Sequence, residues 1–303
     1  MKLIKSSFEI LEQEPGLQGI YKQIELAGRT CYKSLDKITE DSAEGFVDRM
    51  IKSQHYAMLE HGTVYLKIPK GTYAYDHYVV ACLPDDDFFS NSYELAYRPY
   101  TKVNIQEDYI YVTTNLRVLQ EHNWLDDLKY LCEPTEFQEK RVTVRFTTSN
   151  SIMREFTRHR VMSFAVESTR YCNYSKDKFN NEITFIVPYW VDDIDMENVD
   201  NYLYNHEYTL SGGAVCLINS LFQSEQFYLK LIRDGAKPQE AREVLPLATK
   251  CDMVMTGFVS DWEHFFRLRT SILAETGKPH PDASALADPL YKEFINRNYL
   301  KEM

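Results

Sequence analysis

Between Arg141 and Arg160 the chain changes period. Arg141-Val142-Thr143-Val144-Arg145-Phe146 alternates polar and apolar side chains as a half-buried strand does. Asn150 and Ser151, both good N-caps, then open a helix-like stretch, SIMREFTRHR, that ends at Arg160. A strand that hands over to a helix within a few residues commits the chain to a mixed fold, and the flanking sequence agrees. Gly16–Gly28 and Ser42–Ser53 carry apolar residues at helical spacing, Gly62–Pro69 alternates, and Glu182–Pro188 is strand-like. Val199–Arg233 is the longest helical pattern, with Gly212-Gly213 as its point of interruption. Pro238 suits the first turn of a short helix leading to Leu247, and Ser260-Asp261-Trp262-Glu263 reads as a capping box opening a helix through Arg269. The expectation is α+β with much helix.

No internal repeat or low-complexity segment is present, and 11 Gly and 11 Pro are too few for a long linker, so one compact unit is expected. Residues 70–140 stand apart: rich in Tyr and Asp, then amphipathic around LRVLQEHNWLDDLKYL, they read as an inserted subdomain. The opening MKLIKSSFEI lacks a long apolar run, and no stretch is apolar enough to span a bilayer, which points to a soluble, cytoplasmic protein. Six cysteines without a C-x-x-C pair suit reduced thiols and no metal site. With 45 carboxylates against 34 Lys and Arg, net charge -11, the surface is wrong for a general nucleic-acid binder; any anion site is local.

Gly-rich phosphate loops, zinc-protease helices and serine-nucleophile elbows are absent. Arginine remains, in three places: Arg154, Arg158, Arg160 and Arg170 around RHRVMSFAVESTRY; Arg242 in PQEAREVLPL; and Arg267 with Arg269 in HFFRLRT. A planar, permanently charged fork suits phosphates and the carbonyl edges of planar heterocycles. By itself the cluster equally fits solvated surface side chains, and a nucleotide- or RNA-binding module is the rival from another class.

The combination resembles the flavin-dependent thymidylate synthase family. Arg158-His159-Arg160, then Ser168 and Arg170-Tyr171, looks like its signature. Glu60-His61-Gly62-Thr63 precedes it, and Ala241–Pro246 and Trp262–Arg269 follow in family order. The resemblance covers roughly residues 15–69 and 140–275. It implies a helix-rich single domain, 1–303, around a small sheet, and methylation of dUMP to dTMP with methylenetetrahydrofolate as carbon donor, FAD as hydride carrier and NADPH as reductant. Sites shared across a homotetramer are implied as well.

By resemblance Thr63, Arg158, His159, Arg160, Val166, Phe258, Val259, Ser260 and His264 hold FAD. Glu155, Phe156, Thr157, Arg158, Val166, Glu167, Ser168, Thr169, Arg170, Arg242 and Arg269 surround dUMP. Arg269 is the expected catalytic residue, stabilising the ionised uracil. Val166 stands where many relatives have Gln or Glu, and Phe258 where the family often has asparagine, so a flavoprotein with altered substrate is a further reading. Neither Cys172 nor Ser168 is expected to act as a nucleophile: nearby arginines could give Cys172 thiolate character, but no pattern of the family places it at C6 of uracil, and Ser168 has no partner base.

Overall fold

The computed structural model describes residues 1–79, 100–170, 172–176, 179–191, 194, 196, 199, 203, 211–275 and 277–302. Tyr171 of the arginine motif, Cys82, and most of the first half of the expected Val199–Arg233 helix lie outside them. The strands are β1 (Lys2–Ile4), β2 (Ser7–Leu11), β3 (Thr63–Pro69), β4 (Lys102–Ile105), β5 (Tyr109–Asn115), β6 (Arg141–Ser149), β7 (Ser163–Val166), β8 (Thr184–Ile186) and β9 (Lys250–Phe258). The helices are α1 (Gly16–Tyr32), α2 (Ser42–Lys52), α3 (Tyr73–Val79), α4 (Leu116–Glu121), α5 (Asn150–Phe156), α6 (Gly212–Arg233), α7 (Pro238–Ala241), α8 (Val259–Arg269) and α9 (Pro281–Asn296).

The alternating run is β6. It pairs antiparallel with β9 over its whole length and with β2 on its other side, giving the order β2-β6-β9-β7. Its apolar face, Val142, Val144 and Phe146, packs with Trp262, Phe265 and Phe266 of α8 and Leu286, Leu290 and Phe294 of α9. Trp262 Nε1 donates to Val142 O at 3.0 Å, so the indole is buried with its polar atom satisfied. A second sheet, β3-β5-β4, closes over Ile20 and Ile24 of α1 and Phe46 of α2. Parallel β1 and β8 pack Leu3 and Phe185 against Ile218, Leu221 and Tyr228 of α6.

Several expected boundaries move. The cap of α5 is Ser149, whose Oγ accepts from Ile152 N at 3.3 Å, in place of Asn150 or Ser151, and the helix stops at Phe156, short of Arg160. Helix α8 begins at Val259, ahead of Ser260, because the Asp261 carboxylate accepts from Phe258 N at 3.0 Å. Cys31, Cys132, Cys172, Cys216 and Cys251 form no disulfide. No helix among the described residues is long and apolar enough to cross a membrane.

Candidate active site

The ends of α5 and α8 meet. Buried Phe156 fixes the end of α5 by packing edge-on against Phe146 and Phe265, with ring centres 5.1 and 5.0 Å away. Beyond it Arg158 N donates to Glu155 O and His159 N to Phe156 O, so Arg158–Arg160 form a turn. That turn sets Glu155 and His159 against Arg269, the last residue of α8. Arg269 donates from Nε to His159 Nε2 at 3.1 Å, from Nη1 to Glu155 Oε2 at 2.8 Å and from Nη2 to Glu155 O at 2.9 Å. His159 therefore accepts at Nε2 and is the neutral tautomer protonated at Nδ1. Burial first, then the Arg269 charge and His264, hold its pKa down to about 4. Burial also lowers the pKa of Arg269, against the opposing pull of Glu155.

A second group surrounds Thr63. Arg141, the first residue of β6 and buried, donates from Nη1 to Glu60 O at 3.0 Å and to Thr63 Oγ1 at 3.5 Å, and from Nη2 to Ser163 Oγ at 3.3 Å. Its Nε has no partner among the described residues. Burial lowers its pKa to about 10, which leaves it charged at neutral pH. Beside it His61 Nδ1 lies 2.8 Å from Thr256 Oγ1, which lies 2.9 Å from Thr143 Oγ1. Thr63 and Arg141 line a cavity of about 120 Å³ together with Gln13, Tyr65 and Lys140. Arg141 was not among the expected site residues; its alternation with Thr143 was legible, but alternation does not tell which face is covered.

The start of α8 is already capped by the chain itself. Asp261 takes Phe258 N, Lys140 O takes Val259 N at 3.0 Å, and Glu139 Oε1 takes Ser260 N at 2.8 Å. Lys102 of β4 donates to Ser260 Oγ at 2.6 Å and lies over the Phe258 ring at 4.8 Å. The ring of His264, one turn on, is 6.0 Å from that of His159.

The run after the arginine turn is strand β7, which ends at Val166. Cys31 Sγ donates to Val166 O at 2.9 Å, and Ser168 N donates to Cys31 O at 3.3 Å. Glu167 is buried, Ser168 and Thr169 are partly so, and Arg170 is exposed. Arg154, Arg158 and Arg160 are exposed and make no ion pair among the described residues. Arg242, in the turn after α7, pairs with Glu243 at 3.6 Å, and no hydrogen bond or ion pair among the described residues joins it to the other site residues. Thr157 and Val166 are partly buried, and Thr157 Oγ1 donates to Arg154 O at 3.3 Å.

A profile of the family described as "Thymidylate synthase complementing protein" matches residues 96–296. The match takes in β4 and β5 and leaves out α1 and Glu60–Thr63. A curated relative, "Probable flavin-dependent thymidylate synthase" of Paramecium bursaria Chlorella virus 1, is 29% identical over 160 residues, 52% of this chain and 69% of its own length. Two structures of a UMP/dUMP methylase, PolB from Streptomyces cacaoi, bound with 5-Br dUMP and with 5-Br UMP, are 15% and 14% identical. They cover 98% of this chain, and 93% and 92% of their own, at a TM-score of 0.42.

Proposed function

The chain belongs to the thymidylate synthase complementing protein family, and on that premise we propose that it methylates dUMP to dTMP as a flavin enzyme. Methylenetetrahydrofolate is the proposed carbon donor, NADPH the proposed reductant and FAD the proposed flavin, in a homotetramer whose neighbouring chains complete each site. The flavin relative supports the cofactor, and family membership supports the reaction class. We read 1–303 as one domain, with 70–140 an elaboration whose strands β4 and β5 continue the sheet begun by β3.

The observation that carries the reading is the doubly held Arg269. Of five guanidinium N–H groups, three are spent on His159 and Glu155, leaving one on each terminal nitrogen. A preoriented pair of N–H donors suits the N3–O4 edge of uracil as it gains negative charge, and the held geometry costs no reorganisation at that moment. Arginine does not give up its proton, so the role is electrostatic. Glu155 fixes the orientation of the planar fork through both terminal nitrogens, and neutral His159 adds no second positive charge that would repel it.

The residues present fit an anionic flavin nucleotide. Arg158 and Arg160 are exposed without carboxylate partners among the described residues, and Arg141 holds a buried N–H with none, next to Thr63. Phosphate-bearing ligands complete such groups. At Phe258–Ser260 the backbone donors are spent on the chain's own acceptors, so contacts there would come from side chains. Bound flavin supplies the hydride.

The visible spectrum of the purified protein tests this. A yellow protein that bleaches with NADPH supports the reading; a folded protein that takes up no added FAD defeats it.

A further inference from the structure

Glu167 opens the turn proposed to bind dUMP, yet its carboxylate points away from solvent into a four-charge network. Its Oε2 receives Lys33 Nζ at 3.1 Å, Lys250 Nζ at 3.1 Å and Asp252 N at 3.0 Å, and its own N–H donates to Asp252 O at 2.8 Å. Lys33 and Lys250 both also hold the Asp252 carboxylate, Lys250 at 2.5 Å. All four groups are largely buried and the charges balance two against two, so removing one leaves an uncompensated charge out of water.

Lys33 is the least expected member. It is the residue after α1, with φ 50° and ψ 52°, the left-handed conformation in which helices ordinarily end on glycine. A lysine there accepts strain that glycine would avoid, which makes sense if its ammonium is needed where it points. The neighbouring Cys31 grips the same turn from the same helix end, through Ser168 N and Val166 O. Helix α1 lies outside the 96–296 family match, yet its end reaches the turn from behind.

We propose that Lys33, with Lys250 and Asp252, is a positioning residue for the nucleotide turn: it locks Glu167 and thereby fixes Ser168 and the backbone after it for dUMP. Lys33 itself does not touch the substrate. The inference rests on the dUMP reading above.

Lys33→Gly separates the two roles of this position, because glycine relieves the backbone while deleting the ammonium. The expected result is a folded, flavin-binding protein whose KM for dUMP rises about tenfold or more while kcat changes less, with Lys33→Arg recovering most of the loss. Wild-type KM for dUMP in Lys33→Gly overturns the proposal. If Lys33→Gly does not fold, Lys33→Met with Asp252→Asn, which removes one charge of each sign, is read in the same way; failure of both to fold makes the network structural and sinks the proposal. Wild-type protein that neither binds nor turns over dUMP instead defeats the underlying reading.

Discussion

Arg269 Nε donates to His159 Nε2 across 3.1 Å, which fixes the charge of one residue and the aim of the other. The histidine has to be neutral to accept, and the arginine, held also by Glu155, keeps one unspent N–H on each terminal nitrogen. Replacing Arg269 by lysine keeps the charge but loses the planar fork. Arg269→Lys is expected to fold, to bind flavin, and to lose about 10²–10³ in kcat for dTMP formation. Near wild-type kcat would remove Arg269 from its role.

The buried histidines predict a pH dependence of stability. The pKa of His159 is held down to about 4 and that of His61 to about 3, both chiefly by burial, against an ordinary value of 6.5. The unfolded chain therefore binds protons first, so stability falls as pH drops from about 6.5 toward about 4. Below that range the His159 contribution levels off. Urea unfolding from pH 7 to 4.5 should show this decline, and His159→Gln should make it shallower; an unchanged slope in the variant contradicts the assignment.

Gly28 sits inside α1, where alanine would ordinarily gain about 0.5–1 kcal/mol. Here a Cβ would lie 2.5 Å from the buried Phe46 ring, over which the guanidiniums of buried Arg29 and exposed Arg49 lie at 5.1 and 5.7 Å. Overpacking should win, and Gly28→Ala should destabilise by about 1–3 kcal/mol. A rise in Tm would show that the ring can move aside at little cost.

Arg158 and Arg160 hold no carboxylate among the described residues, so their removal costs the fold little. Arg158→Ala and Arg160→Ala should keep the wild-type Tm within a few degrees and weaken flavin or dUMP affinity about tenfold or more. Unchanged affinities in both would place the phosphates elsewhere.

The sequence made the β6–α5 junction legible because two periods meet there, and it located the arginine turn at a helix end. It did not reveal β9, one of the two inner strands of its sheet: KCDMVMTGF is covered on both faces, with Met253, Val254 and Met255 all fully buried, so it lacks alternation. Strand β7 was hidden inside a hydroxyl-rich motif, and α9, part of the main core, lay in a tail that carried no expectation. Of the candidate site, Glu155, His159, His264 and Arg269 come together through side-chain contacts that no spacing rule contains. Arg141 and Lys33 escaped notice because each is a single cation, distinguished only by burial and by the partners that tertiary structure brings to it.

The central claim is the reaction, and product analysis tests it most directly. Purified, flavin-loaded protein is incubated with dUMP, methylenetetrahydrofolate and NADPH, and the nucleotides are separated and identified by mass spectrometry. The account predicts dTMP, formed only when all three are present and lost with Arg269→Ala. Folded, flavin-loaded wild-type protein that leaves dUMP unmethylated under these conditions would contradict it.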